Sequence, residues 1–459
     1  MKSAVSRRGF LGALGASAAL APVVGFPAIL KRRGVNEMLS HACIGTMHMA
    51  SNDLNQLASH RDLHITALCD VDAKYLATVK RRFPDARCYR NALELLAAEG
   101  DRIDSVNVST PDHTHAPYVI DALRRGKNVY SQKPLCTKIS DGREIMRLAR
   151  EKKAVTQLGT QIAAWECDRQ TAAVISSGML GEVRHVWIFS HKRSEPSPSK
   201  FAWPLKESEV PPELDWKTWL GPAPYRPYAR GAYHPTQWRK WRDFGSGMLG
   251  DMGIHMICPV WLGLQLGESG ALTVRAEVAD LGWTDLQKGQ FWPELAHVTW
   301  GMGGCKASGG KPFDIEWFSG YQGVEHRYEP KHYPPAYLQD IAALTPLGRL
   351  PTQERVVEGT EGWMISTHWN KTPCVVTKRK QLIGGGQAEG DSLKVDLPGS
   401  GPHVSHYHEF VDACLRGGGT TCPFELSGKM NEWVVSGNLA SLAPEKSHDV
   451  EDLLKKELA

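Results

Sequence analysis

Between residues 37 and 160, short β-branched and apolar runs alternate with stretches of helical periodicity. HACIG predicts a strand and NDLNQLAS the helix that follows it, while LHITALCDVD, IDSVNVSTP, KNVYSQKP and AVTQLGTQ predict further strands. Between these, AKYLATVKRRF, HAPYVIDALRRG and SDGREIMRLAREKK space apolar residues three and four apart, as one helical face requires. Such alternation predicts a Rossmann-type, doubly wound parallel sheet with right-handed crossovers over residues 37–160. The texture changes near Val183. EVRHVWIFSHKR, LTVRAEVADL, ELAHVTWGMG and FDIEWFSG resemble strands with partial alternation, and WMISTH and CVVTKR follow a turn at Gly359–Gly362. They predict a second α/β domain, residues 161–459, with a large, mostly antiparallel open sheet. Pro196 to Trp241 reads as a Pro- and Trp-rich irregular segment, and Gly386 to Gly401 as loop. YHEFVDACLRG and LSGKMNEWVVSGNLASLA read as closing helices, from about residue 404, that pack back on the first domain.

Composition narrows the classes. A chain of 459 residues exceeds one ordinary core, in keeping with two domains. The net charge of +4 and the lack of long basic runs argue against nucleic acid as a partner. The ten cysteines show no paired short spacing, so no metal site is expected. Cys414 and Cys422 are the nearest local pair for a disulfide, but two buried thiols are the expected state. Residues 1–36 hold Arg7 and Arg8 directly before a Gly- and Ala-rich run, the pattern of a twin-arginine export signal. Pro22 after Ala19-Leu20-Ala21 leaves cleavage and retention as an anchor both open. Either outcome predicts a periplasmic or extracytoplasmic protein and the twin-arginine export machinery as a partner.

The candidate chemistry gathers at strand ends. In ACIGTMHMA, Gly45 supplies the first glycine of a dinucleotide loop, Met47 stands at the second and Ala50 at the third. Thr46, His48 and Met49 complete that loop, and Asp70 ends the second strand where a carboxylate binds ribose hydroxyls. The alternative is a sheet that has kept only its topology. VSTPDHTHAP, with Thr110, Pro111, His113 and His115, and YSQKPL, with Gln132 and Lys133, end the next strands. Asp251 and His255 are four residues apart in GSGMLGDMGIHMICPVW, on one face of a helix, so that the carboxylate orients the imidazole.

These segments resemble the glucose-fructose oxidoreductase / inositol dehydrogenase / MocA family, in particular its secreted twin-arginine branch. LDWKTWLGPAP and YHPTQWRKWRDFGSGMLGDMG carry the most specific likeness. The resemblance implies a nicotinamide-binding first domain and a second domain whose sheet carries the sugar site and a homo-oligomer contact. It implies Lys133 as the residue binding the reacting hydroxyl, His255 as general base and Asp251 as its assistant. Gln132 departs from the family's glutamate, and Met47 from its second glycine. Aromatic and polar residues at Tyr233, His234, Trp238 and Arg239, with Gln161, are the candidate sugar contacts. Tyr407 and His408 read first as caps or packing.

The expected function is NAD(P)-dependent oxidation of a hydroxyl on a sugar, polyol or cyclitol, with NAD(H) preferred over NADP(H) because of Asp70. Outside the cytoplasm free nicotinamide is scarce, which favours a tightly held cofactor. Two alternatives follow: a redox-neutral glycosidase working by oxidation, elimination, hydration and reduction, and an exported sugar-binding relative without chemistry.

Overall fold

The computed structural model describes residues 38–191, 201–266, 270–279, 284–293, 295–320, 334–350, 353–367, 372–384, 405–444 and 446–458. The export signal and the Gly386–Gly401 loop lie outside the described residues, as do the first residues of the Pro- and Trp-rich segment.

Strands β1 (Leu39–Ile44), β2 (Leu63–Cys69), β3 (Arg87–Tyr89), β4 (Ser105–Val108), β5 (Asn128–Ser131) and β6 (Thr156–Leu158) form a wholly parallel sheet in the order β3-β2-β1-β4-β5-β6. Helices α1 (Met49–Ala58), α2 (Ala73–Lys80), α3 (Ala92–Glu99), α4 (His115–Arg124) and α5 (Ile139–Lys152) form its crossovers. Local chemistry sets their ends: Asp72 accepts from the amides of Lys74 and Tyr75 to start α2, and Asn91 does the same for Leu93 and Glu94 in α3. Such caps contribute about 1 kcal/mol each. Register aligns the strand ends, with Ile44 opposite Cys69 and Val108, Val108 opposite Ser131, and Ser131 opposite Leu158. The next residue of each strand therefore stands on one edge: Gly45, Asp70, Ser109, Gln132 and Gly159.

The second sheet follows the order β14-β13-β12-β11-β7-β10-β9-β8-β15. Its strands are β7 (Val183–Ser190), β8 (Ala271–Ala279), β9 (Leu295–Met302), β10 (Phe313–Ser319), β11 (Gln353–Gly359), β12 (Gly362–Thr367), β13 (Cys374–Thr377), β14 (Leu382–Gly384) and β15 (Ser447–Asp449). Among the described residues only β7 and β10 pair in parallel. Alternation works as expected in β10, where Phe313, Ile315 and Trp317 enter the main core. The helices are α6 (Glu166–Ser176), α7 (Trp216–Leu220), α8 (Ile254–Leu264), α9 (Asp285–Gln290), α10 (Tyr337–Ala343), α11 (His406–Arg416), α12 (Phe424–Ala440) and α13 (Val450–Leu458). Helix α11 packs on α1, and α12 packs on α5 and α8. Trp433 of α12 stacks on Trp300 of β9 at 4.1 Å, so one core is continuous from the first sheet to the second. No helix among the described residues is long and apolar enough to cross a membrane.

Cys414 and Cys422 take the expected free, buried state, but they do not face each other: the Cys422 sulfur lies 3.4 Å from that of Cys258 in α8. Cys414 instead belongs to the core between α11 and the first sheet.

Candidate active site

A cavity of about 800 Å³ opens at the strand-end edge of the first sheet, between that edge, the segment 201–244 and the first turns of α8 and α11. Gly45 turns into it with φ +89°, and a Cβ there would sit 2.3 Å from the Ser109 carbonyl oxygen, so only glycine fits. The positive φ of the loop falls one residue after the second glycine position. His48, not Met47, takes the left-handed backbone (φ 58°), with its ring edge against Tyr75. Met47 is half-buried against the cluster of Leu54, Leu57 and Tyr407 while still lining the cavity. No side chain caps α1 at His48, and no acidic residue stands in its first turn. A helix start of this kind, opening on a cavity, suits the negative charge of a dinucleotide pyrophosphate.

Asp70 accepts the Thr46 amide (3.0 Å) and hydroxyl (2.7 Å) on Oδ2 and the Asp72 amide on Oδ1. Burial raises its pKa, and these hydrogen bonds pull it back. Behind the loop lies a buried carboxylate that sequence reasoning missed. Asp53 of α1 accepts from the Ser109 hydroxyl (2.7 Å), from the Gln132 amide nitrogen (2.9 and 3.0 Å) and from the Tyr407 hydroxyl (2.8 Å). Burial pushes it up to about 6 against those donors. Gln132 sits over Gly159, where a Cβ would meet its side chain at 3.0 Å.

Asp251, which the spacing paired with His255, meets Lys133. The Lys133 ammonium donates to the Asp251 carboxylate at 2.7 Å and to its backbone carbonyl at 2.9 Å. Arg239 approaches the same carboxylate oxygen at 3.4 Å. Asp251 belongs to a π-helical turn, Leu249–Gly253, that leads into α8, rather than to a regular helix shared with His255. His255 is buried in the first turn of α8 and lines the cavity beside Asp251. Asp112, also missed, lines it too, with Oδ2 accepting the Ser246 amide at 3.0 Å. Its position after the strand-end proline, in a segment chosen for its histidines, was the available signal.

Of the other candidates, Thr110, Pro111, Met49, Gln161, His234, Trp238 and Arg239 line the cavity. Three do not. His113 bridges the Phe244 and Trp219 carbonyls, and His115 bridges those of Pro134 and Thr110. Burial holds both near pKa 4, so each neutral ring donates to one carbonyl at a time and ties loops together instead of touching a ligand. Tyr233 stacks on Trp216 inside the aromatic cluster of segment 201–244, so its ring packs the wall from behind. Tyr407 does line the cavity, whereas His408 pairs with Ser59.

Comparison with known proteins bears on the two domains. Residues 39–160 match the GFO_IDH_MocA model, "Oxidoreductase family, NAD-binding Rossmann fold", and residues 168–284 match GFO_IDH_MocA_C2, "Oxidoreductase family, C-terminal alpha/beta domain". Inositol 2-dehydrogenase of Gluconacetobacter diazotrophicus is 30% identical over 159 residues, 34% of this chain and 46% of that protein. D-apiose dehydrogenase of Rhizobium rhizogenes is 29% identical over 31% of this chain and 41% of its own. The matches span less than half the length of these curated relatives. Among solved structures, aldose-aldose oxidoreductase of Caulobacter crescentus complexed with glycerol has a TM-score of 0.58 at 15% identity, covering 90% of this chain and 100% of that one. An inositol dehydrogenase homolog of Azotobacter vinelandii complexed with NADH and myo-inositol has 0.59 at 17%, covering 90% and 98%. At such identities the likeness shows the fold.

Proposed function

We infer that this chain, which has the two-domain fold of the Gfo/Idh/MocA oxidoreductase family, oxidises a hydroxyl of a sugar, polyol or cyclitol with a nicotinamide dinucleotide. The observation that carries the reading is the convergence of the Gly45 loop, Lys133, Asp251 and His255 on one cavity. The curated relatives that act on inositol and apiose support the substrate class.

The bound nicotinamide supplies the hydride acceptor. The Gly45 turn and the uncapped start of α1 hold the phosphates, and Asp70 favours NAD(H) by placing a carboxylate where NADP(H) carries its 2′-phosphate. Lys133, fixed at two points by Asp251, presents its ammonium to the reacting hydroxyl, and His255 takes the hydroxyl proton. Trp238 and Arg239 hold the ring and its hydroxyls. The twin-arginine pattern in residues 1–36 supports export, and the scarcity of free nicotinamide outside the cytoplasm supports a retained cofactor.

The test is to denature the purified protein and identify any released nucleotide, then supply NAD⁺ with myo-inositol and a panel of aldoses while following NADH. Stoichiometric nicotinamide, or NADH formation on any member, supports the reading. The absence of both, with no nicotinamide released and no NADH formed with added NAD⁺, overturns it.

A further inference from the structure

Two nucleophilic side chains lie buried together outside the chemistry of the cavity. Cys258 of α8 and Cys422, just before α12, are both fully enclosed, and their sulfurs stand 3.4 Å apart although 164 residues separate them along the chain. That is sulfur–sulfur contact, and a closure of about 1.4 Å brings it to bonding distance. Cys136 shows what a solitary buried thiol does in this fold: it gives its S–H to the Lys138 carbonyl at 3.1 Å.

The two thiols are held from different parts of the molecule. Cys258 stands one helical turn beyond His255, inside a helix buried along nearly its whole length. Cys422 runs beside β6: its amide donates to the Gln157 side-chain oxygen and its carbonyl accepts the Leu158 amide, each at 2.9 Å. Thr420 and Phe424 bracket it, the first donating its hydroxyl to the Thr156 carbonyl and the second its amide to the Thr156 hydroxyl. A bond between the sulfurs therefore joins the helix that presents His255 to the edge of the first sheet. Access comes along the chain from α11. Gly417, Gly418 and Gly419 are exposed, the first two at φ +78° and +119°, with open space where a Cβ would stand. Such a run is easily reoriented, so Cys422 swings out on it when its few contacts to β6 open, whereas Cys258 stays in its helix.

We propose that Cys258 and Cys422 form a disulfide when a small-molecule disulfide is present, and that this bond pins α8 to the edge of the first sheet. The Cys422 thiolate, its proton given to solvent, attacks one sulfur of the oxidant and expels the other half as a thiolate. The Cys258 thiolate then attacks the Cys422 sulfur of that mixed disulfide and expels the second half. In sum one sulfur–sulfur bond breaks and one forms, two electrons pass from the protein pair to the oxidant, and the two released thiolates take up the two protons. The site is independent of the oxidoreductase reading, and its test uses no substrate.

The full purified chain is incubated with glutathione disulfide, once in buffer and once in urea below its unfolding transition, beside a control in dithiothreitol. Cys88, which is exposed, takes up glutathione and shows that the oxidant has acted. After denaturation and alkylation of the remaining thiols, peptide mass spectrometry reads the partners. The expected product joins the peptides of Cys258 and Cys422. Returned to buffer, the cross-linked chain should melt about 5 °C above the reduced one, because closing so long a loop restricts the unfolded state. Cys258→Ser and Cys422→Ser should each lose both the joined peptide and the difference in melting between the two treatments. The peptide map of the parent chain decides even where a variant fails to fold. The proposal is overturned if both cysteines are alkylated as free thiols after both incubations, or if Cys422 ends joined to another cysteine or as its glutathione adduct. A cross-link that leaves the melting temperature unchanged overturns it as well.

Discussion

At the scale of single residues, the buried Asp53 explains why glutamine occupies position 132. Its carboxylate receives the Gln132 amide on both oxygens, so a glutamate there would set two carboxylates face to face. Gln132→Glu should lose about 3 kcal/mol of stability at pH 8, from like-charge repulsion and a lost donor. Asp53 already stands at about 6, and the added charge raises the pair further. The deficit should therefore be small in acid, where one carboxyl is protonated and donates, and should grow as pH rises through the raised value. Adding Asp53→Asn restores a donor and should recover most of the loss, as read by thermal unfolding against pH. Gly45→Ala makes a different demand, since its Cβ must clear a carbonyl now 2.3 Å away at φ +89°. We expect a loss of at least about 2 kcal/mol in denaturant unfolding.

At the scale of elements, regular patterns were readable and compensated irregularities were not. The strands and helices of the first sheet, and the alternation of β10, follow from apolar spacing alone. Strand β11 escaped because its sequence, QERVVEG, puts Glu354 and Arg355 where apolar residues belong. Both are fully buried, and Arg355 is matched across the core by Asp168 of α6 at 2.8 Å. Such a pair is invisible to a hydropathy pattern because each charge is hidden by a partner far away in sequence. Asp168→Asn should leave the guanidinium buried without its counter-charge and cost about 3–5 kcal/mol, measurable by chemical denaturation. The π-helical turn at Leu249–Gly253 escaped for a related reason. Spacing by four assumes a regular helix, yet the wider turn lets the Asp251 carbonyl, as well as its carboxylate, reach Lys133. Most of the cavity's lining was legible, therefore, but His113, His115 and Tyr233 proved to be packing, and Asp53 and Asp112 became candidates only once the fold had buried them beside charges and donors.

At the scale of the whole molecule, the C-terminal segment belongs to the machinery it closes over. Helix α11 brings Tyr407 to Asp53, and α12 brings Trp433 into the core shared by both sheets. A chain ending at residue 404 should therefore lose its cooperative melting transition, as seen by near-ultraviolet circular dichroism. The segment 201–244 behaves differently. It packs largely on itself through Trp216, Trp219, Tyr233, Trp241 and Phe244, is moored to the first domain by His113, and contributes Trp238 and Arg239 to the cavity wall. For evolution this is a recognition cassette with its own foundation. Its ligand-facing positions can drift, and substrate preference with them, while Lys133 after β5 and His255 in α8 stay in place. An engineer seeking a new specificity would begin with a library at those few wall positions and leave the aromatic foundation alone.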